Sequence, residues 1–177
     1  MKKIFYFTAL LLCSMMVSCD KEEVGGTATE ATAGQWYVTV DGADADGNVI
    51  PGFEDLYQLG RIVMLTFNTS ANKADEMIVS DASSFWDFKV KVSCDPANKT
   101  FSTNTTENNN LVAGYEDINV QITNGKILPK AGKQNNGSPA DSIVFYVAFS
   151  DDDAPADYGF TNYRVSGIRY SGLVEND

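Results

Sequence analysis

Histidine is absent from this chain of 177 residues. The side chain that most often acts as a general base near neutral pH is therefore missing, and with it the Ser-His-Asp arrangement and the commonest zinc ligand. The G-x-S-x-G sequence of a nucleophile elbow is missing as well. The S-x-x-K spacing from Ser70 to Lys73 falls in a turn between two predicted strands, whereas enzymes with this motif begin a helix at the serine. The sequence therefore gives no support to the common forms of nucleophilic catalysis.

Carboxylates are the remaining candidates for catalytic or metal-binding side chains. Two facing carboxylates can hydrolyse a glycoside, and Glu54, Asp55, Glu116 and Asp117 are available for this role, but their spacing singles out no pair. The acidic loop after the first predicted strand has the Asp spacing of a calcium site, yet Val49 stands where an EF-hand loop needs glycine. We therefore predict no catalytic residue, no cofactor and no metal site.

Basic residues and cysteines are also few. The chain has 13 Lys and Arg against 24 Asp and Glu, a net charge of -11. A surface of this charge repels phosphate backbones, so we expect no nucleic-acid partner. Of the three cysteines, Cys13 and Cys19 lie near the N-terminus and only Cys94 lies in the main body of the chain. We therefore predict no disulfide within the domain, which must depend on a hydrophobic core.

The first residues have the order of a secretory signal. Lys2 and Lys3 precede an apolar run that ends at Ser18-Cys19, and this run is too short to span a bilayer comfortably. The preceding residues make Cys19 resemble the lipidated cysteine of a bacterial lipobox, although ordinary secretion is the alternative. We predict a signal peptide over residues 1–18 and a lipidated, flexible tether over 19–33. Removal of Lys2 and Lys3 would change the net charge from -11 to -13.

The acidic run Asp20–Glu23 follows the lipidation site directly. It resembles the surface-export signal of Bacteroides-type lipoproteins, although a solvated linker would have the same composition. We expect an outer-membrane lipoprotein that is exposed on the cell surface and attached to the membrane through Cys19.

Strict alternation of apolar and polar residues dominates the rest of the chain. The clearest case is Phe85–Ser93, which places Trp86, Phe88 and two valines on one face and predicts a central strand. Other segments alternate in the same way, and Asn124-Gly125 is typical of a hairpin turn. No segment after the signal shows a long helical period, although 51–60 could form a helical turn over one end of a barrel. We predict a single all-β domain over 34–177, a sandwich or an antiparallel up-and-down β-barrel of about eight strands.

The start of the first strand, Gly34-Gln35-Trp36, resembles the G-x-W motif of calycins, the lipocalin-like barrels. In calycins the tryptophan closes one end of the barrel and packs beneath an arginine of the last strand. The resemblance implies that Trp36 pairs with Arg169, with Arg164 as the second candidate.

A wider resemblance covers residues 34 to 173. The lipobox, Gly34–Val38, Phe85–Val92, Ile122–Lys126 and Val165–Gly167 together resemble a family of Bacteroidetes lipoproteins described as lipid-binding putative hydrolases with a calycin-like barrel. This resemblance implies a barrel that binds a lipid-like small molecule. It also implies hydrolase activity, for which the residues give little support.

The aromatic residues that we expect to point into the barrel and line a ligand pocket are Phe67, Trp86, Phe88, Phe145, Phe149 and Tyr163. If the barrel is open at one end, these side chains would line a pocket for a fatty acyl chain or sterol-like molecule. If the interior is filled, they would form the hydrophobic core. Two other functions stay open. Exposed tyrosines (Tyr37, Tyr57, Tyr115, Tyr158) would suit a glycan-binding or interaction accessory of an outer-membrane uptake system with partner proteins there, and two facing carboxylates would suit a hydrolase. The sequence does not identify the ligand or the oligomeric state.

Overall fold

A computed structural model describes residues 26–104 and 108–176. The predicted signal peptide, Cys19 and the acidic run after it lie outside these residues. Within them, no helix has the length and apolar character needed to cross a membrane.

Eight antiparallel strands form a closed barrel in which each strand pairs with the next in the chain and the last pairs with the first. This order confirms the predicted up-and-down barrel. The strands are β1 Gly34–Ala43, β2 Ile62–Asn68, β3 Glu76–Ser80, β4 Lys89–Asp95, β5 Thr100–Ser102, β6 Val120–Lys133, β7 Pro139–Phe149 and β8 Asn162–Arg169. A short helix, α1 Ala154–Tyr158, precedes β8, and a 3₁₀ turn over Val174–Asn176 follows it.

Side chains fill the interior of the barrel. The alternation in each strand sends every second residue inward, as the sequence predicts, and the largest of these side chains are fully buried. The set includes Trp36, Val38, Met64, Met77, Ile122, Ile143, Phe145 and Tyr163, and Phe88, directly before β4, is buried with them. The barrel axis is therefore a packed core.

The fourth strand begins at Lys89, four residues later than the alternation of Phe85–Ser93 predicts. The backbone N–H groups of 85–88 point at the buried carboxylate of Asp81 instead of a neighbouring strand. Asp87 also has a positive φ of 54°, which a strand residue does not adopt. Phe85 and Trp86 consequently belong to a loop at the end of the barrel.

Asn124-Gly125 is not the hairpin turn that the sequence predicts. Both residues lie inside β6, where the register with β7 shifts between Thr123 and Lys126. The positive φ of Asn124, 53°, serves a β-bulge here, and the strand continues to Lys133. The bulge lies where Gly125 pairs with Phe101 of the short strand β5.

Asn110 completes the barrel wall where β5 ends early. Its side-chain oxygen accepts the N–H of Lys89 at 2.9 Å, and its amide nitrogen donates to the carbonyl of Asp87 at 3.0 Å. Its backbone N–H donates to the carbonyl of Ile118 at 2.8 Å. One buried asparagine therefore joins the start of β4 to the segment before β6, where no regular ladder exists.

Residues 27–33 pack against the barrel, which differs from the predicted flexible tether over 19–33. Thr29 and Thr32 are fully buried. The carbonyl of Thr32 accepts the hydroxyl of Thr66 at 2.7 Å, and its own hydroxyl is hydrogen-bonded to the thiol of Cys94 at 3.2 Å. Burial raises the pKa of that thiol. The hydroxyl of Thr32 also donates to the carbonyl of Thr29 at 3.0 Å, so Thr32 ties this small polar segment to the barrel.

Candidate functional site

The two ends of the barrel differ in their connections. The long-loop end carries residues 44–61, 81–88, 103–104, 108–119 and 150–161, which belong to the connections between successive pairs of strands. The termini end carries 27–33, 170–176 and the three other connections, 69–75, 96–99 and 134–138. Each end has its own group of aromatic side chains.

Trp36 and Arg169 close the termini end together. They are directly paired in the β1–β8 ladder, and the guanidinium carbon of Arg169 lies 4.3 Å from the centroid of the Trp36 ring. Nη1 of Arg169 donates to the carbonyl of Ala33 at 2.6 Å, and Nε lies 3.5 Å from a carboxylate oxygen of Asp141. The indole N–H of Trp36 donates to Thr66 at 2.9 Å. This is the cation–π contact that the G-x-W resemblance implies.

Arg164, the second candidate, does not contact Trp36. It pairs across the strands with Asp41, with 3.7 Å between Nη1 and Oδ2, and donates to the hydroxyl of Ser166. Gly34 explains the first position of the motif, because a Cβ there would overlap Nη1 of Arg169 and press on the Trp36 ring. The glycine lets the arginine lie flat across the barrel end.

Seven aromatic side chains meet at the long-loop end and form what we term the aromatic cluster. Its members are Tyr57, Phe85, Trp86, Phe88, Phe149, Phe160 and Tyr163. Trp86 stacks on Phe149 with 4.9 Å between ring centroids and 10° between planes. Phe85 meets Tyr163 edge to face at 5.1 Å. Such ring pairs add about 0.5–1.5 kcal/mol each beyond the area they bury.

The structure brings four of the six predicted pocket residues into this cluster: Trp86, Phe88, Phe149 and Tyr163. Phe145 is fully buried deeper in the barrel, where its ring packs 5.7 Å from that of Phe101. Phe67 lies on the outer face of β2, with the ammonium of Lys89 5.6 Å from its ring. Its inward placement was wrong, because both faces of β2 are apolar and alternation alone does not choose between them.

Sequence reasoning missed three members of the cluster, Tyr57, Phe85 and Phe160. Tyr57 and Phe160 lie in loops with no regular period, and only the prediction of a turn over the barrel end at 51–60 pointed to the first. Phe85 began the predicted strand, but on its polar face. It reaches the barrel end because the chain turns at Asp87.

Asp81 holds the loop that presents Phe85 and Trp86. Its carboxylate is fully buried and accepts five backbone N–H groups at 2.8–3.1 Å, those of residues 83, 85, 86, 87 and 88. Such charge-assisted bonds are about twice as strong as neutral ones. One buried side chain therefore fixes the position of two aromatic rings.

A short hydrogen-bond chain runs through the cluster. The hydroxyl of Tyr163 donates to a carboxylate oxygen of Asp152 at 2.7 Å, and its oxygen lies 2.7 Å from the hydroxyl of Tyr57. Burial raises the pKa of Tyr163 far above its usual value, and these hydrogen bonds raise it further. Nearby, the indole N–H of Trp86 donates to Asp151 at 3.3 Å. The cluster thus has an apolar body with carboxylates at its rim.

Three of the four carboxylates considered for hydrolysis serve local turns. Glu54 accepts the N–H of Gly52, Asp55 that of Gly60, and Glu116 that of Gly114, each within about 3.1 Å. Among the described residues, no group of three or more potential metal ligands lies together. The hydrogen bonds of Glu54, Asp55 and Glu116 therefore single out no pair of these described carboxylates.

The four tyrosines considered for glycan binding are dispersed. Tyr37 packs edge to face on Tyr170, and Tyr57 belongs to the aromatic cluster. Tyr115 is exposed on a loop, and Tyr158 is exposed at the end of α1. In the part of the chain that the structure describes, no two of the four form a ring contact, so no stacking platform is assembled from them.

Comparison with known proteins identifies the family. The family described as "Lipid-binding putative hydrolase" matches residues 21–174. The chain belongs to this family. No curated protein matches the chain. The match spans the whole barrel and confirms the resemblance seen in the sequence, and the family and the barrel fold together support a lipid-binding role.

Proposed function

We propose that this protein is a lipid-anchored protein of the outer membrane, exposed at the cell surface, that binds one apolar or amphiphilic, lipid-like molecule without catalysing a reaction. The observation that carries the proposal is the aromatic cluster at the long-loop end. Its rings come from β7, β8 and three of the loops. Phe85 and Trp86 are half-buried, and Tyr57 is 41% exposed.

The cluster suits an apolar ligand for two reasons. Aromatic side chains provide large contact areas and few rotatable bonds, so a bound acyl chain loses little to side-chain ordering. The half-buried rings of Phe85 and Trp86 also lie in a loop at the barrel end, so a ligand can contact them from outside the barrel. Ligand binding here does not require a preformed cavity along the packed barrel axis.

The orientation at the membrane follows from the N-terminal segment. Residues 27–33 are packed at the termini end, so only seven chain steps separate Cys19 from the first described residue, Gly26. Fully extended, these steps reach about 25 Å. Lipidation of Cys19 would therefore hold the termini end next to the bilayer and turn the aromatic cluster away from it, towards ligands that approach from outside.

Native mass spectrometry of the chain from Asp20 to Asp177, which keeps every residue that the structure describes, tests the proposal. We expect a stoichiometric adduct of lipid-like mass, either carried through purification or formed on adding long-chain amphiphiles. Trp86→Ala should reduce its occupancy. Phe67→Ala, which removes an aromatic ring from the outer face of β2, should not. A clean protein mass at every amphiphile concentration would overturn the proposed function.

A further inference from the structure

Charge is distributed unevenly between the two ends of the barrel. The described connections of the long-loop end contain twelve acidic residues and one basic residue, Arg61. Those of the termini end contain three acidic residues, Glu30, Asp75 and Glu175, and two lysines. Among the described connections, the negative charge is therefore concentrated at the end of the barrel that carries the aromatic cluster.

Carboxylates lie directly beside the cluster. Oδ1 of Asp151 is 3.3 Å from the indole nitrogen of Trp86, and Asp152 accepts the hydroxyl of Tyr163 at 2.7 Å. Asp151 and Asp153 are exposed, so their charge faces any molecule that approaches the rings. A ligand whose apolar part packs on Trp86 would place its head group among these carboxylates.

Two basic side chains near this end are directed elsewhere. Lys89 lies over Phe67 on the outer face of the barrel, and Arg164 pairs with Asp41. Arg61 is exposed at the start of β2. An anionic head group at the cluster would therefore meet several carboxylates, and the structure directs neither Lys89 nor Arg164 towards it.

We propose that the aromatic cluster selects amphiphiles with a cationic head group over those with an anionic one. A quaternary ammonium or amine is attracted by the carboxylates of the rim and by the face of a half-exposed indole. A fatty acid carboxylate or a phosphate is repelled by the same charges. This inference rests on the proposed function, because it names the ligand class of the same site.

Isothermal titration calorimetry with three dodecyl amphiphiles of different head group tests the inference. Trimethylammonium, maltoside and carboxylate head groups share one alkyl chain, and each is used below its micelle concentration with the chain from Asp20 to Asp177. At about 20 mM salt we expect the ammonium compound to bind at least about tenfold more tightly than the carboxylate, with the maltoside between them. At about 500 mM salt the ratio should shrink, because the charges are screened.

The variant Asp151→Asn/Asp153→Asn should lower the ammonium-to-carboxylate ratio by about two- to fivefold for each carboxylate removed. The matched control, Asp75→Asn/Glu175→Gln, removes two exposed charges from the termini end and should leave the ratio unchanged. Both variants change surface residues, and thermal unfolding verifies that each retains the wild-type fold.

The outcomes separate the two proposals. Binding of all three compounds with equal affinity, or tighter binding of the carboxylate, would overturn the charge selection and leave the lipid-binding function intact. Failure of every amphiphile to bind would overturn the proposed function and this inference with it. An equal fall in the ratio for both variants would show a general effect of net charge and would overturn the role of the rim.

Discussion

Replacing Asp81 by asparagine removes the carboxylate on which the 81–88 loop depends. In the protein, Oδ1 accepts the N–H groups of residues 83 and 88, and Oδ2 accepts those of 85, 86 and 87. An amide replaces one of these oxygens by an NH₂ group that cannot accept, so two or three buried N–H groups lose their partner.

Two opposing effects decide how much the Asp81→Asn substitution changes the free energy of unfolding. A buried N–H without an acceptor costs about 1–3 kcal/mol, partly recovered where the loop edge admits water. Removing a buried charge also removes its desolvation penalty of several kcal/mol, which would stabilise the variant. In the native protein, however, the five N–H bonds already offset that penalty. We expect a net loss of about 2–4 kcal/mol in the free energy of unfolding, a large share of the usual 5–15 kcal/mol.

Urea unfolding at neutral pH, followed by far-ultraviolet circular dichroism, measures this loss as a lower midpoint with an unchanged slope. Asp87→Asn is the matched control: it makes the same chemical change in the same loop, where the carboxylate accepts one hydrogen bond from the Ser83 hydroxyl. We expect the control to change stability by less than about 1 kcal/mol. Equal midpoints for Asp81→Asn and the wild type would refute the account of the loop.

Three further predictions concern other parts of the fold. Gly34→Ala should lower the free energy of unfolding by about 1–3 kcal/mol in the same assay, because its methyl group displaces the Arg169 guanidinium from the barrel end; an unchanged midpoint would contradict this. The raised pKa of Tyr163 means that its stabilising contribution is complete below the unfolded-state pKa near 10 and declines above it. The wild type should therefore lose stability more steeply than Tyr163→Phe between about pH 10 and 11, and parallel pH profiles would contradict the burial of the hydroxyl. The Cys94 thiol should react slowly with a thiol reagent, and a chain that begins at Gly34, without Thr32, should react at least about tenfold faster; equal rates would show that residues 27–33 do not cover it.

The strands and their closure into a barrel could be predicted because alternation is a local property. Each strand shows which residues are apolar, and eight such segments without a helical period leave few folds. The contact between Trp36 and Arg169 could also be predicted from the sequence, because its two residues lie at the start of the first strand and the end of the last. In an up-and-down barrel these strands are neighbours.

The aromatic cluster was only partly predictable, for physical reasons. The alternation at Phe85–Phe88 would be the same in a strand and in this loop, so it does not distinguish the two structures. The loop forms because the carboxylate of Asp81 accepts five backbone N–H groups, and this interaction does not change the periodicity of the sequence. Phe67 could not be assigned a face because both faces of β2 are apolar. The face that Phe67 occupies depends on the register between β2 and β3, in which Phe67 is paired with Ile78.

Tyr57 and Phe160 could not be placed because loop residues meet through tertiary packing alone. The same holds for residues 27–33, whose composition is that of a linker. Tertiary contacts show that the segment belongs to the fold: the hydroxyl of Thr66 donates to the carbonyl of Thr32, and the hydroxyl of Thr32 is hydrogen-bonded to the thiol of Cys94.

The most direct test of lipid binding at the aromatic cluster uses the two tryptophans of the chain. Trp86 lies in the cluster and Trp36 lies at the opposite end of the barrel, so a brominated alkyl amphiphile that quenches indole fluorescence on contact can distinguish them. The account predicts that this compound quenches part of the emission of the wild type and leaves the remaining emission of Trp86→Phe, which comes from Trp36, unchanged. Equal quenching of both tryptophans, or quenching of neither at saturating amphiphile, would contradict it.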